Sequence, residues 1–282
     1  MTNEIMNMQS LSLASRFTLA SILATFAAVM LPIASAEAQA PVFISPQRVE
    51  LFDNRRSEVL TVTNRTENTA SYELGLEDYS MSEQGVTVKV ESLDYSARRL
   101  VRFSPRRFTL EPGQTQTIRV LGRRSGQLTD GTYRTHLVFR ETANDEDLGG
   151  DGSGSGNMSF GIGFRFNIAI PVVVSVGDSE GAVFLEEAEV IPEGVAVKFK
   201  REGNSDAVAR VSVRWEKPNG KSEDIVSDMV IRIYRERDWI ERVLKTAWPG
   251  GEPPKEGKLI ITLSPESRSK TDVLDELIAP LS

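Results

Sequence analysis

The chain has 282 residues, with 33 Lys and Arg against 40 Asp and Glu, one His and no Cys. The missing cysteines exclude a disulfide scaffold, a thiol enzyme and Cys-ligated zinc or iron–sulfur sites, and a single histidine, His136, leaves no His-rich metal centre. A formal charge of -7 argues against a nucleic-acid binder, which needs a basic surface to displace counterions from phosphate, and the length corresponds to two domains of about 150 residues each.

From Phe17 to Ala36 the chain reads FTLASILATFAAVMLPIASA, preceded by Arg16 and free of charge, which is the outline of an export signal. Ala36-Glu37-Ala38 supplies a small-x-small triplet, so residues 1–38 are expected to be a signal peptide cut after Ala38.

After residue 40 the apolar runs are short, alternating and bounded by turn residues, the pattern of antiparallel strands with one buried face. Strands are expected over 42–52, 58–63, 70–79, 86–90, 100–103, 108–110, 115–121, 132–140 and 158–176. Their spacing of about ten residues is that of a sandwich. Pro46, Pro105 and Pro112 cannot donate to a central ladder and belong at edges, bends or turns. The turn-forming stretch GDSEG, from Gly177 to Gly181, marks a boundary, giving one domain over 39–176 and a second over 177–282. In the second, strands are expected over 182–190, 195–200, 208–215, 229–234 and 258–263, with Pro218-Asn219-Gly220 as a hairpin turn. Residues 238–245 are expected to form a short helix, with Trp239, Ile240, Val243 and Leu244 on one side. The tail over 270–280 holds a last strand or a turn of helix. The fold class is therefore all-β, two sandwiches in sequence.

Two segments stand out. Between Glu141 and Asn157 the chain reads TANDEDLGGDGSGSG, a polar loop whose acidic cluster lacks the ligand spacing and terminal Glu of an EF-hand. Directly after it, Met158, Phe160, Ile162, Phe164, Phe166, Ile168 and Ile170 occupy every even position, against small or polar odd positions. This apolar face either fills the domain's own core or leaves residues for another chain. Thirteen alternating residues exceed the usual strand of about 5 to 6, and each large side chain completed by a partner contributes about 1.5 to 3 kcal/mol. Arg165 interrupts the small face of this strand, and Arg48 lies early in the first one. Each is either a solvated charge or, if the two share a cleft, half of a grip on a carboxylate. His136 has no serine in a nucleophile elbow to serve, and no phosphate-binding loop or dinucleotide fingerprint is visible. Neither an enzyme nor a cofactor is expected.

The segments QRVELF at 47–52, LTVTN at 60–64, FSPRRFTLEPGQTQTIRV at 103–120, LTDGTYRTHLVFRE at 128–141 and the strand ending FRFNIAIPV resemble, in that order, the periplasmic chaperones of pilus and fimbrial assembly, the PapD-like family. FKREGNSDAVARVSV at 199–213 is similar to a strand turn of the family's smaller domain. The resemblance implies two immunoglobulin-like β-sandwich domains in an L-shaped arrangement, a periplasmic location, and a carrier of pilus, fimbrial or coat subunits that hands them to an outer-membrane usher. It further implies donated residues drawn from Met158, Phe160, Ile162, Phe164 and Phe166, and a subunit carboxylate anchored by Arg48, with Arg165 as the second basic residue. The cysteine pair common in the long-loop branch is missing. A bare edge strand also implies self-association when no client is present. The alternative from a different class is a structural or adhesive immunoglobulin-like protein of the cell envelope.

Overall fold

The computed structural model describes residues 41–123, 128–142, 165–266 and 273–281. The expected signal peptide, the acidic loop and Met158, Phe160, Ile162 and Phe164 lie outside the described residues. Every regular element among the described residues is a strand.

The first sandwich pairs two sheets. One has the order β1 (Val42–Ser45), β3 (Ser57–Asn64), β8 (Thr115–Gly122) and β6 (Val101–Ser104). The other runs β2 (Val49–Leu51), β10 (Asn167–Val176), β9 (Gly131–Thr142), β4 (Ala70–Met81) and β5 (Thr87–Val90), with β7 (Arg107–Leu110) also on β4. The run expected as one strand over 42–52 is thus two strands in different sheets. β1 pairs antiparallel with β3, whereas β2 pairs parallel with β10. The break falls at Pro46, which has no N–H to give to a ladder. Alternation then sets the core: Val49, Leu51, Leu60, Val62, Ile118, Val120, Leu137, Phe139 and Val172 are buried between the sheets.

The second sandwich stacks β11 (Gly181–Ile191), β12 (Gly194–Gly203) and β15 (Trp239–Lys245) against β14 (Ser222–Ile233), β13 (Ala207–Glu216), β16 (Gly257–Ser264) and β17 (Asp275–Leu281). Both are immunoglobulin-like sandwiches. β13 and β14 are joined through the Pro218-Asn219-Gly220 turn, where Gly220 takes a positive φ of 77° and Lys217 N donates to Lys221 O at 2.8 Å.

The helix expected over 238–245 is strand β15, paired antiparallel along its whole length with β12. Ile240 and Leu244 are buried and Trp239 and Val243 are exposed. Two buried residues four apart fit one face of a helix and one face of a strand equally well, and the long-range ladder with β12 decides between them. The tail forms strand β17, at the edge of its sheet.

Met81, at the end of β4 in the first sandwich, is buried in the core of the second. Its backbone is held there from both sides. Met81 N donates to Glu236 Oε1 at 3.0 Å, and Arg237 Nε donates to Met81 O at 2.5 Å. The turn after β4 adds a further tie, with Glu241 N donating to Glu83 O at 2.7 Å.

Candidate functional site

The face of the β2–β10–β9–β4 sheet turned away from the first core carries the polar cluster. Register aligns it: Val172 lies opposite Val49, Pro171 opposite His136, and His136 opposite Glu77. Pro171, His136 and Glu77 therefore form a row across three strands, and Arg48, the residue before β2, continues it next to Pro171. Tyr133, Leu137 and Phe139 of β9 point into the core, so Thr132, Arg134 and His136 lie on the opposite face, and all three are buried there as well.

Arg48 closes one end of the row. Its Nε donates to Glu50 Oε1 at 2.6 Å, and its Nη2 reaches Asp206 Oδ2, from the second sandwich, at 3.4 Å. Burial pulls the pKa of this guanidinium down, but the hydrogen bond to Glu50 and the charge of Asp206 outweigh it, and the net shift is upward. Arg48 stays charged, with its side chain 19% exposed and so within reach of a ligand.

Asp206 is itself fixed. Its Oδ1 accepts from Thr132 Oγ1 at 3.2 Å and from Arg235 N at 3.1 Å, while its own N donates to Thr132 Oγ1 at 2.9 Å. Next to it, Arg134 donates from Nη2 to Tyr79 O at 2.8 Å and to Glu236 Oε1 at 2.5 Å. Arg134 Nε and Nη1 have no hydrogen-bond acceptor among the described residues. The guanidinium instead lies on the ring of Tyr234, 3.3 Å from its centroid, a cation–π contact that offsets part of the lost hydration.

His136 packs against Tyr79, with ring centroids 4.7 Å apart, and lies opposite Glu77 in the ladder. Glu77 is occupied by Arg140 and by Lys89 at 3.0 Å. Burial alone would raise the Glu77 pKa, but those two cations prevail and it is lowered. Burial first, then the charges of Arg134 and Arg48, push the His136 imidazole from 6.5 down to about 4. A histidine harder to protonate when folded than when unfolded favours the folded state above pH 6.5 and loses that contribution as the pH falls toward 4. At about 1.4 kcal/mol per pH unit the loss approaches about 3 kcal/mol. His136→Gln should flatten this part of the stability–pH curve between pH 7 and 4. Urea unfolding of both proteins at the two ends of that range measures it, and an equal loss in both would remove His136 as the cause.

The chemistry on offer is a cation-mediated grip on an anion. No group of three or more His, Cys, Asp and Glu side chains suited to a metal occurs among the described residues.

Arg48 thus stands where the two sandwiches touch, but Arg165 does not join it. Arg165 is exposed and lies ahead of the start of β10; it precedes Pro171 by six residues, about 20 Å of extended chain at roughly 3.3 Å per residue. Phe166 is 45% exposed, while Ile168, Ile170, Val172 and Val174 on its face pack into the first core. In the described part of the strand the even face therefore serves the protein's own core and emerges from it at Phe166.

The edge of β10 completes the site. On one side all ten residues pair with β9. On the other only Val172 to Val174 pair, with β2, so among the described strands none pairs with Asn167 to Pro171. A chain laid along that free edge parallel to β10 would be collinear with β2 and would end at Arg48. The sequence drew attention to Arg48 but not to Asp206, Thr132, Arg134 or Glu236, whose relation to it arises only when the sandwiches meet.

No family model matches the chain, and no curated protein matches it. Among solved structures it is similar to the class 5 fimbriae chaperone CfaA, at 13% identity and a TM-score of 0.46 over 86% of this chain and 99% of that one. It is also similar to the CupB2 chaperone of Pseudomonas aeruginosa, at 11% identity and a TM-score of 0.41 over 85% and 100% of the two chains. The DraB chaperone of E. coli gives 12% identity and a TM-score of 0.40 over 85% and 98%.

Proposed function

We propose that this protein is an ATP-independent periplasmic chaperone, exported by its N-terminal segment, that completes secreted pilus, fimbrial or coat subunits by strand addition and passes them to an outer-membrane usher. The observation that carries this is the edge of β10 from Asn167 to Pro171, unpaired among the described strands and ending at the partly exposed guanidinium of Arg48. Unpaired strand edges seek another strand, and main-chain hydrogen bonds along an edge give affinity without demanding one sequence. The client strand would run parallel to β10 and place its terminal carboxylate at the Nη side of Arg48, where charge-assisted hydrogen bonds form. The even face, emerging at Phe166 and continued in sequence by Phe164, Ile162, Phe160 and Met158, would supply apolar side chains to the client's groove. Arg165 would sit near the start of the paired segment, about 20 Å from the carboxylate, where it steers the approach of acidic clients.

Co-expression with the small secreted subunits encoded beside its gene tests this reading. Wild type should be recovered in a one-to-one complex. Arg48→Ala should weaken binding by about tenfold to a hundredfold, from loss of a charge-assisted pair. Ile162→Asp should abolish recovery while leaving the fold intact. Failure of wild type to bind any such subunit, or binding that neither change weakens, would instead favour a structural protein of the envelope.

A further inference from the structure

The guanidinium of Arg48 is already held by two carboxylates of its own chain. Glu50 takes the Nε edge at 2.6 Å, a short and well-formed bond. Asp206 takes the Nη edge at 3.4 Å, longer than a well-formed N–H···O bond. The two contacts divide the fork between orientation and occupancy: Glu50 aims the side chain, and Asp206 sits where an incoming carboxylate would bind. Asp206 does not drift there. Thr132 Oγ1 and Arg235 N fix its other oxygen, so the carboxylate is aimed at Arg48 by one residue from each sandwich.

We propose that Asp206 is a resident stand-in for the client's terminal carboxylate, holding Arg48 while no client is present and yielding the Nη edge to a strand that arrives along the free edge of β10. This rests on the strand-addition reading above and adds a threshold to it. Exchange of one carboxylate for another keeps the Nη edge of Arg48 paired in both states, while Glu50 keeps the Nε edge. The apparent affinity for a client falls by the fraction of molecules in which Asp206 holds the site. A strand that pairs in the wrong register, and so brings no carboxylate to Arg48, has nothing to displace Asp206 with.

The probe is a synthetic peptide of alternating valine and threonine, flanked by lysines at its N-terminus and ending in a free carboxylate, beside the same peptide amidated. Binding is measured by calorimetry to wild type, Asp206→Asn, Thr132→Ala and Arg48→Ala. Asp206→Asn keeps an oxygen for Thr132 and Arg235 and removes only the charge. It should bind the acid-ended peptide about fivefold more tightly than wild type, as expected for release of a partly exposed ion pair, with no gain for the amide. Thr132→Ala, which loosens Asp206 without touching Arg48, should act in the same direction by a smaller factor, and it carries the test if Asp206→Asn does not fold. If wild type prefers the acid and Arg48→Ala loses that preference, yet neither variant gains affinity for the acid, the stand-in role is overturned and the anchor remains. If wild type binds acid and amide alike, Arg48 is no anchor and both ideas fall together.

Discussion

Glu236→Ala should destabilise the protein by about 3 to 5 kcal/mol, measured as a fall in the urea midpoint at constant slope. Glu236 Oε1 is the acceptor for Arg134 Nη2 at 2.5 Å and for Met81 N at 3.0 Å. Arg134 is almost fully buried, with no other carboxylate on it among the described residues, so truncating Glu236 strands a cation away from water. The cost arises from the unpaired partner more than from the lost bond. Glu236→Gln, which keeps an acceptor and drops the charge, should therefore cost markedly less. Replacing both members by Met should recover most of the stability, since buried ion pairs are often matched by well-packed apolar side chains. A loss below about 1 kcal/mol in Glu236→Ala would mean that water reaches Arg134 freely and that the pair behaves as a surface one.

Asn64→Ala should cost about 3 kcal/mol. Asn64 ends β3 fully buried. Its Nδ2 donates to Asn68 O at 2.8 Å, Leu110 O at 3.1 Å and Glu111 O at 3.3 Å, and its Oδ1 accepts from Thr66 N at 3.0 Å and Thr66 Oγ1 at 2.8 Å. One side chain thus satisfies backbone groups of two turns, and removing it leaves several of them buried and unpaired, each costing about 1 to 3 kcal/mol before relaxation. Asn64→Asp preserves the shape and should be at least as harmful, because a second acceptor then faces three carbonyl oxygens. Thermal melts of the two variants separate the explanations. A mild Asp and a severe Ala would show that volume, and not donation, is what the site requires.

The strand pattern was legible because each strand buries one face, so alternation in the sequence is alternation in space. Leu60 and Val62, or Val195, Val197 and Phe199, announce their orientation two residues at a time. The sequence was ambiguous where two periods coincide, as for Ile240 and Leu244, and where a strand changes sheets, as at Pro46. In the site, Arg48 was legible from its motif. Its partner Asp206 lies 158 positions away, and nothing local distinguishes it from other acidic turn residues. The same holds for Glu236, 102 positions from Arg134. The pairing of Arg48 with Arg165 came from the resemblance and had no register behind it. The parallel register of β2 on β10 instead sets Arg48 beside Pro171. No catalytic partner for His136 is visible in the sequence, and its burial together with the charges of Arg134 and Arg48 explains why it carries no proton at neutral pH.

Met81 gives the two sandwiches a shared fate. Its side chain belongs to the hydrophobic interior of a domain that its own strand does not enter, and its peptide group is bonded on both sides to residues of that domain. Cutting the gene after residue 176 would leave this methionine and the hairpin beyond it projecting into water, a sticky fragment in place of an independent module. Heating the intact protein should then give a single calorimetric peak, with equal calorimetric and van't Hoff enthalpies, because neither half can melt without opening the interior of the other.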